Sequence, residues 1–304
     1  KPVTKLTNGV ICVGKGNLDS KIDISSNDEI GILANAFNNM TDNLKKYINN
    51  LSKITAEKER IATELNLAAQ IQSDMLPNIF PAFPDRDDID IYATMQPAKE
   101  VGGDFYDFFL IDDDHIGFVI GDVSGKGVPA ALFMIIAKTL INTSTKNNEQ
   151  PQDIFTGVNN RLCENNKAGL FVTAWMGILE ISTRKITCVN AGHNPPVVKK
   201  NNGKFEYLQI RKDLVLAGID DTEYKQQELQ LDKDDMLYLY TDGVTEAANN
   251  NNELYGENRL LNILNEFADL PITELLPAIK NDIDKFAEDA PQFDDITMMV
   301  LKIK

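Results

Sequence analysis

The chain has 304 residues, of which 43% are hydrophobic and 25% charged, and it carries a formal net charge of -16. This size and composition are ordinary for a globular protein of about two domains with a substantial core. The negative charge argues against a nucleic-acid-binding protein and against a polybasic membrane patch, because both need clustered lysine and arginine.

The three cysteines, Cys12, Cys163 and Cys188, are far apart in the sequence and show no paired spacing. Neither a disulfide framework nor a thiolate zinc site is predicted, and we expect a reducing cytoplasm. No apolar run reaches the roughly 18 residues that span a bilayer, and residues 130–141 are interrupted by Lys138. The sequence begins without methionine, so we expect any membrane anchor to lie in segments missing upstream.

A regular apolar pattern extends from Ile30 to Met75. Apolar residues recur there at alternating spacings of three and four, and only Lys58 and Gln72 interrupt the series. A sustained seven-residue repeat predicts a left-handed coiled coil, and we expect a parallel homodimer in which the two polar residues fix the register. The alternative is an amphipathic helix packed on its own domain, but so long a helix has too little neighbouring domain to cover its apolar stripe.

Prolines at positions 77, 81 and 84 end this helix, and the polar residues that follow indicate a domain boundary. Beyond the boundary, many short apolar stretches predict strands and four stretches have helical periodicity. Because the helices are inserted in groups and do not alternate with the strands, an α+β sandwich is favoured over a doubly wound parallel sheet. The predicted strands are residues 89–95, 105–111, 116–123, 170–181, 185–190, 196–200, 205–210, 224–231, 236–240 and 296–303, and the predicted helices are 129–143, 153–164, 257–267 and 272–288.

Acidic residues stand at the ends of several predicted strands, beside glycine or a second acid. They are Asp104, Asp122, Asp242 and the pair Asp294 and Asp295. A carboxylate at a buried strand end needs a partner, and few lysines or arginines are near these positions in the sequence, so external cations are the natural counter-ions. Oxygen ligands select Mg²⁺ or Mn²⁺, and two such ions about 3.5 to 4 Å apart can activate a water for attack on phosphorus. Each acid taken alone is better explained as a turn or cap residue, and only the recurrence of the setting favours a metal site.

The motifs around these acids have a recognisable order. Residues 59–304 resemble the bacterial branch of the metal-dependent protein phosphatases, the PPM or protein phosphatase 2C-like superfamily, of the kind that regulates sigma factors in stress response and in stage II of sporulation. The resemblance rests on residues 64–68, 71–72 and 76–77 and on the motifs at residues 97–107, 121–127, 190–193, 240–246 and 294–297.

The resemblance implies a β-sandwich flanked by α-helices, two Mn²⁺ or Mg²⁺ ions at one edge, and hydrolysis of phosphoserine or phosphothreonine by a metal-bound water. It implies that Asp122 bridges both ions and that the Val123 carbonyl adds an oxygen ligand. Asp242 and Asp294 correspond to the remaining metal-binding acids. Asp104 corresponds to an acid that either binds the second ion or orients the attacking water, and these two roles stay open.

Two other residues near the motifs, Lys99 and His193, are candidates for substrate binding and for catalysis. Lys99 stands five residues before Asp104, where some relatives carry an arginine for the substrate phosphate; an exposed loop lysine is an equally good interpretation, because lysine lacks the bidentate fork of arginine. His193 follows Gly192 and precedes two prolines, and we expect it to hydrogen-bond the backbone of a turn rather than to take part in catalysis.

The N-terminal segment resembles a HAMP signalling module. Residues 16–19 correspond to its connector and residues 28–31 to the start of its second helix. HAMP modules form parallel four-helix bundles in dimers and normally follow a transmembrane helix, so the resemblance agrees with the heptad pattern. The predicted organisation is an all-α HAMP-like module at 1–51, a coiled-coil linker at 52–84 and a phosphatase domain at 85–304.

The sequence therefore predicts a metal-dependent serine/threonine protein phosphatase that is regulated through a dimeric HAMP and coiled-coil input. The resemblance suggests a phosphorylated STAS-domain anti-sigma-factor antagonist as substrate. We expect the helix at residues 129–143 to carry the input to Asp122, and we expect a cytoplasmic fragment of a protein anchored in the cytoplasmic membrane. The alternative is a non-enzymatic dimeric scaffold that binds a partner through a phosphatase-like domain.

Overall fold

The computed structural model describes residues 1–145, 149–200 and 203–304. The chain divides into two compact units, Lys1–Asn66 and Leu67–Lys304. The boundary between these units lies inside the segment 52–84 that the sequence predicts as a linker. Each unit is described below by itself.

The N-terminal unit contains two helices joined by a connector. Helix α1 spans Pro2–Gly14, and helix α2 spans Glu29–Asp74. Asp28 precedes α2, and its Oδ1 atom accepts hydrogen bonds from the backbone N–H groups of Ile30 and Gly31, both at 3.1 Å. These two N–H groups have no partner within the helix, so the carboxylate caps the helix at the position where the sequence predicts its start.

The connector is fastened to α2 by the side chain of Asn38. Its Oδ1 atom accepts a hydrogen bond from the Ile22 backbone N–H, and its Nδ2 atom donates one to the Ile22 carbonyl, both at 2.9 Å. Ile22 itself is buried. One amide therefore satisfies both backbone polar groups of a buried connector residue.

The stripe of apolar side chains along α2 stays largely exposed. Met40, Tyr47, Leu51, Ile54 and Ile61 are each exposed among the residues that the structure describes. The continuous helix that the heptad pattern predicts is confirmed. The second chain that would cover the stripe remains a prediction.

Gln72 lies in the part of α2 that belongs to the C-terminal unit, and its predicted place in the coiled-coil seam is wrong. Its side chain is buried, with 5% exposure. Its Nε2 atom donates to the Gly102 carbonyl at 2.7 Å, and its Oε1 atom accepts the Gly102 N–H at 3.0 Å. The heptad pattern thus continues beyond the point where the helix joins the C-terminal unit, which the sequence pattern cannot distinguish from a coiled coil.

The C-terminal unit is built on two five-stranded antiparallel sheets, so the predicted α+β sandwich is confirmed. The strand orders are β1-β10-β9-β6-β7 and β2-β3-β4-β5-β8. Apolar side chains from both sheets share one core. The strands are β1 Ile89–Gln96, β2 Phe105–Leu110, β3 His115–Val123, β4 Val172–Glu180, β5 Lys185–Ala191, β6 Val197–Lys199, β7 Phe205–Tyr207, β8 Gln227–Gln230, β9 Met236–Tyr240 and β10 Ile296–Ile303.

Helices cover the outer face of each sheet. Helices α3 and α4 contact the sheet that contains β3, and α6 and α7 contact the sheet that contains β10 and β7. These four helices match the predicted ones to within two residues at each end, whereas the short helix α5 was not predicted. The bounds are α3 Val128–Thr145, α4 Pro151–Cys163, α5 Asp242–Thr245, α6 Gly256–Glu266 and α7 Ile272–Ala287.

Helix α3 is apolar along its whole length. Within the described ranges it is the one helix that is long and apolar enough to cross a membrane by length and composition, although the sequence pattern predicts no such run. Its Ala130, Met134 and Ile141 side chains are nevertheless buried in the core of the C-terminal unit. Lys138 on the same helix pairs with Asp107 of β2 at 2.7 Å. These contacts explain the apolar composition as that of a core helix.

The only tryptophan of the chain, Trp175, lies in the core of the sandwich and packs on Phe118 with ring centroids 5.6 Å apart. We predict that Phe118→Ala lowers the free energy of unfolding by about 3 to 5 kcal/mol, because the ring is fully buried and its loss leaves a cavity. Urea unfolding followed by Trp175 fluorescence reports on this unit alone. The control is Leu254→Ala at a position with 60% exposure, which should change the free energy by about 0.5 kcal/mol or less. Equal effects of the two substitutions would contradict the prediction.

Candidate metal-binding site

Strand pairing brings the predicted acids to one edge of the sandwich. In one sheet Phe105 pairs with Gly121, so Asp104, which precedes β2, lies beside Asp122 at the end of β3. In the other sheet β9 and β10 are paired antiparallel, and the Thr241 N–H donates to the Thr297 carbonyl at 3.0 Å. Asp242 directly follows Thr241, and Asp294 directly precedes the entry into β10. Antiparallel pairing places the end of one strand beside the start of the next, which is why four distant sequence positions meet.

Asp104 is buried between the two sheets. Its Oδ2 atom accepts hydrogen bonds from the Thr241 hydroxyl at 2.7 Å and from the Thr297 hydroxyl at 2.5 Å. Burial raises the pKa of Asp104 well above its ordinary value, and repulsion from Asp122 and Asp295 raises it further. The two hydroxyl groups oppose this shift because they donate to the ionised form.

Asp122 and Asp242 show that the edge carries an excess of negative charge. Burial is the main cause that raises the pKa of Asp122 to about 8, and repulsion from Asp242 and Asp294 contributes less. Burial is also the main cause that raises the pKa of Asp242 to about 6, and repulsion from Glu246 and Asp294 contributes less. Mutual repulsion of this kind is relieved by a bound cation.

Asp294 is the acid that has a basic partner. Its Oδ2 atom lies 3.0 Å from the Lys126 ammonium group, and its Oδ1 atom accepts the backbone N–H of Asp295 at 2.9 Å. The side chain of Asp294 is 24% exposed. Asp294 is thus partly accessible to solvent.

The Val123 carbonyl packs closely against Gly103. A Cβ atom at position 103 would lie 2.8 Å from this oxygen, so only glycine allows the approach. The Val123 N–H also donates to the Gly103 carbonyl at 3.3 Å. The loop before β2 is therefore held against the end of β3, which fixes the position of the predicted carbonyl ligand.

Asp295 has a role that the sequence did not reveal. Its carboxylate accepts backbone N–H groups from Ala98 at 2.7 Å, from Gly103 at 2.6 Å and from Asp104 at 3.4 Å. It fixes the loop that carries Asp104 and Lys99 and is 7% exposed. The repeated acid in the sequence was the available signal, but nothing in it distinguishes a ligand from a loop anchor. Lys99 is exposed and forms no hydrogen bond or ion pair within the described ranges, so its role stays a prediction.

His193 lies in the turn that the sequence predicts. Its backbone N–H donates to the Asn190 side chain at 2.7 Å, and the Asn190 amide donates to the His193 carbonyl at 3.1 Å. The ring contacts the Thr173 hydroxyl at 3.0 Å. Burial lowers the pKa of His193 to about 3, so the ring is neutral at physiological pH.

The donor set fits a hard divalent cation. The acidic side chains at this edge offer only oxygen as a ligand atom, and the raised pKa values of Asp104, Asp122 and Asp242 indicate uncompensated negative charge. Among the residues that the structure describes, no group of three or more acid, histidine or cysteine side chains is arranged to hold an ion. Mg²⁺ and Mn²⁺ keep several waters and need only one or two carboxylates each.

The acidic edge lies within a part of the chain that matches a known family. Residues 112–304, more than half of the chain, match the family described as stage II sporulation protein E (SpoIIE). The chain belongs to the SpoIIE family. Residues 1–46 match the HAMP domain, so the N-terminal unit is a HAMP module. Both resemblances that the sequence motifs indicate are thereby confirmed.

Curated relatives of this SpoIIE-family chain include three bacterial proteins. Protein IcfG of Synechocystis is 31% identical over 99% of this chain and 51% of its own length. Phosphoserine phosphatase RsbU of Bacillus subtilis is 30% identical over 81% of this chain and 72% of its own. Phosphoserine phosphatase RsbP of the same organism is 26% identical over 79% and 58%. The chain thus spans about half of IcfG and less than two thirds of RsbP.

Solved structures share the fold. The SiaA-PP2C domain of Pseudomonas aeruginosa matches with a TM-score of 0.71 at 21% identity, over 82% of this chain and 98% of that domain. The SpoIIE phosphatase domain of Bacillus subtilis with part of its regulatory domain matches with a TM-score of 0.61 at 17% identity, over 71% and 63%. The C-terminal unit of this SpoIIE-family chain has the PP2C fold.

We predict that Asp122 makes the metal-free protein less stable as pH rises from about 4 to 8. The unfolded chain releases this proton near pH 4, whereas the folded protein holds it until about pH 8. The folded state therefore binds more protons across this window, and the associated stability is full below pH 4 and lost as pH rises through the folded-state pKa. Because each pKa unit corresponds to about 1.4 kcal/mol, Asp122→Asn should raise the free energy of unfolding at pH 8 by up to about 5 kcal/mol.

Urea unfolding in the presence of a chelator, followed by Trp175 fluorescence at pH 5, 6.5 and 8, measures this effect. The difference between wild type and variant isolates Asp122 from the other carboxylates. Asp220→Asn removes a charge from an exposed position and should parallel the wild type. A difference between wild type and Asp122→Asn that does not change with pH would contradict the prediction.

Proposed function

We propose that the chain is a metal-dependent protein phosphatase that hydrolyses phosphoserine and phosphothreonine with a water activated between two Mn²⁺ or Mg²⁺ ions. The observation that carries the proposal is the meeting of four acids from both sheets at one edge, where burial and repulsion between carboxylates raise the pKa values of Asp104, Asp122 and Asp242. Such an edge attracts divalent cations, and phosphate ester hydrolysis is chemistry that paired divalent cations support. RsbX, a phosphatase-fold protein matched with a TM-score of 0.55, was crystallised with magnesium.

Each side chain has a part in the proposal. Asp122 would bind both ions, the Val123 carbonyl would add a further oxygen ligand, and Asp242 and Asp294 would be the remaining metal-binding acids. Asp104 binds an ion or orients the attacking water. When bound, the ions lower the pKa of a water and offset the charge of the phosphate group.

The surrounding residues hold the acidic side chains and their loop in position through hydrogen bonds. The hydroxyls of Thr241 and Thr297 hold one carboxylate oxygen of Asp104. Asp295 holds the loop that carries Asp104 through three backbone N–H groups. Lys99 on this loop would attract the substrate phosphate; the support is that it is exposed and has no acidic partner within the described ranges.

The proposed substrate is a phosphorylated STAS-domain anti-sigma-factor antagonist. The support is family membership together with two relatives that are named phosphoserine phosphatases, RsbU and RsbP. The acidic chain also suits a protein substrate better than a nucleic acid, because nucleic-acid phosphates would be repelled.

The proposed input is a parallel dimer formed by the HAMP module and α2. The exposed apolar stripe from Met40 to Ile61 offers the seam, and the HAMP module supports attachment to the cytoplasmic membrane through segments upstream. Gln72 gives the input a route to the site, because it joins the end of α2 to Gly102, next to the loop that carries Asp104. The part of the helix at 129–143 in carrying the input to Asp122 stays a prediction.

To test catalysis, we would measure phosphate release from a phosphoserine peptide with Mn²⁺ or with chelator. We expect release only with Mn²⁺, and a rate at least about 100-fold lower for Asp122→Asn, because the bridging ligand is lost. Asp220→Asn serves as the matched control and should keep the wild-type rate. Equal rates for wild type and Asp122→Asn would exclude the metal mechanism and favour a non-enzymatic scaffold.

To test the dimer, we would compare the sedimentation of wild type with that of a variant carrying Leu51→Asp and Ile61→Asp. We expect a wild-type dimer at micromolar concentration and a monomeric variant, because two carboxylates at the seam oppose burial. The matched control carries Asn49→Asp and Ala56→Asp, which add the same number of acids on the opposite face of the helix. A monomeric wild type, or equal dissociation of both variants, would contradict the proposed seam.

A further inference from the structure

Lys126 reaches across the acidic edge from the turn that follows β3. Its ammonium group lies 3.0 Å from the Asp294 Oδ2 atom and donates to the Phe293 carbonyl. The same group lies 3.5 Å from the centroid of the Phe293 ring. Three contacts to two adjacent residues therefore hold one flexible side chain at a metal-binding acid.

The backbone conformation of the turn helps to direct the Lys126 side chain toward Asp294. Gly125 and Gly127 on either side of Lys126 have φ angles of 88° and 79°, which L-residues with side chains rarely adopt. Ser124 fastens the turn to Phe171: the Ser124 N–H donates to the Phe171 carbonyl, and the Ser124 hydroxyl oxygen accepts the Phe171 N–H, both at 2.9 Å. The lysine stem is thus anchored at its base and directed toward Asp294.

Within the described part of the chain, Lys126 is the basic side chain that forms an ion pair at the acidic edge. Among the lysines, arginines and histidines that the structure describes, only Lys126 forms an ion pair with any of the four acids Asp104, Asp122, Asp242 and Asp294. A divalent ion that binds Asp294 must therefore displace this ammonium group or lie beside it, and both cost binding free energy.

We propose that Lys126 is a tethered cation that competes with the divalent ion for Asp294 and so weakens metal binding at that position. The inference rests on the proposed function, because it assigns Asp294 to a metal. A lysine suits this part because its charge is compact and its stem is flexible, so it leaves when a stronger cation arrives. Once released, the ammonium group remains beside the acidic edge.

Two other roles for Lys126 predict different results. If the ion pair served only to orient Asp294 for the metal, removal of the lysine would weaken metal binding. If Lys126 served only to bind the substrate phosphate, its removal would raise the KM for substrate and leave metal affinity unchanged. The sign of the change in metal affinity therefore decides among the three roles.

The test is isothermal titration of the chelator-treated full chain with Mn²⁺, for wild type, Lys126→Met and Lys126→Arg. Methionine keeps an apolar stem over the Phe293 ring and removes the charge, and arginine keeps the charge. We expect the Kd of the weaker Mn²⁺ site to fall about tenfold in Lys126→Met and to stay within about threefold of wild type in Lys126→Arg. Lys167→Met, at an exposed lysine without an ion pair in the described ranges, should leave the Kd unchanged.

A second readout is independent of turnover and of the titration. Without metal, Lys126→Met should unfold at a lower temperature than wild type, because Asp294 loses its counter-ion, and Mn²⁺ should raise its unfolding temperature more than it raises that of wild type. An Mn²⁺ affinity of Lys126→Met that is equal to or weaker than wild type overturns the inference and leaves the phosphatase proposal intact. A wild type that binds no Mn²⁺ overturns both.

Discussion

The site depends on the hydrogen bonds by which the Thr241 and Thr297 hydroxyls hold the Asp104 carboxylate. Asp104 belongs to one sheet, while the Thr241 and Thr297 hydroxyls that bind it belong to the other. A buried acid without these donors would be strongly destabilising, so the two sheets must close at this edge before the acid is tolerated. The stability of the sandwich and the chemistry of the site are therefore built from the same hydrogen bonds.

A second constraint is the glycine pair at 102 and 103. Gly102 binds Gln72 through both of its backbone polar groups, and Gly103 allows the Val123 carbonyl to approach. Asp295 holds the same loop from the other side. One short loop thus receives contacts from the end of α2, from β3 and from the entry to β10, and a displacement of any of these elements reaches Asp104.

Much of this organisation could be predicted from the sequence, for identifiable reasons. Strands β9 and β10 were predicted at their observed bounds because they are mostly apolar runs, and the acids were found because each lies beside such a run. Helix α5 was missed because four residues carry no periodicity. Gln72 was assigned to the wrong partner because a heptad pattern does not reveal what covers a helix. The loop-anchoring role of Asp295 was not predicted because the direction of a side chain depends on tertiary contacts.

The double hydrogen bond between Asn38 and Ile22 has a consequence for motion within the HAMP module. Both bonds come from one amide, and they engage the donor and the acceptor of one residue. If the connector slid along α2 by a single residue, it would lose both bonds together and expose the buried Ile22 backbone. Gradual sliding of the connector along α2 is therefore disfavoured. The connector and α2 either move together as a rigid unit or separate in one step that breaks both hydrogen bonds.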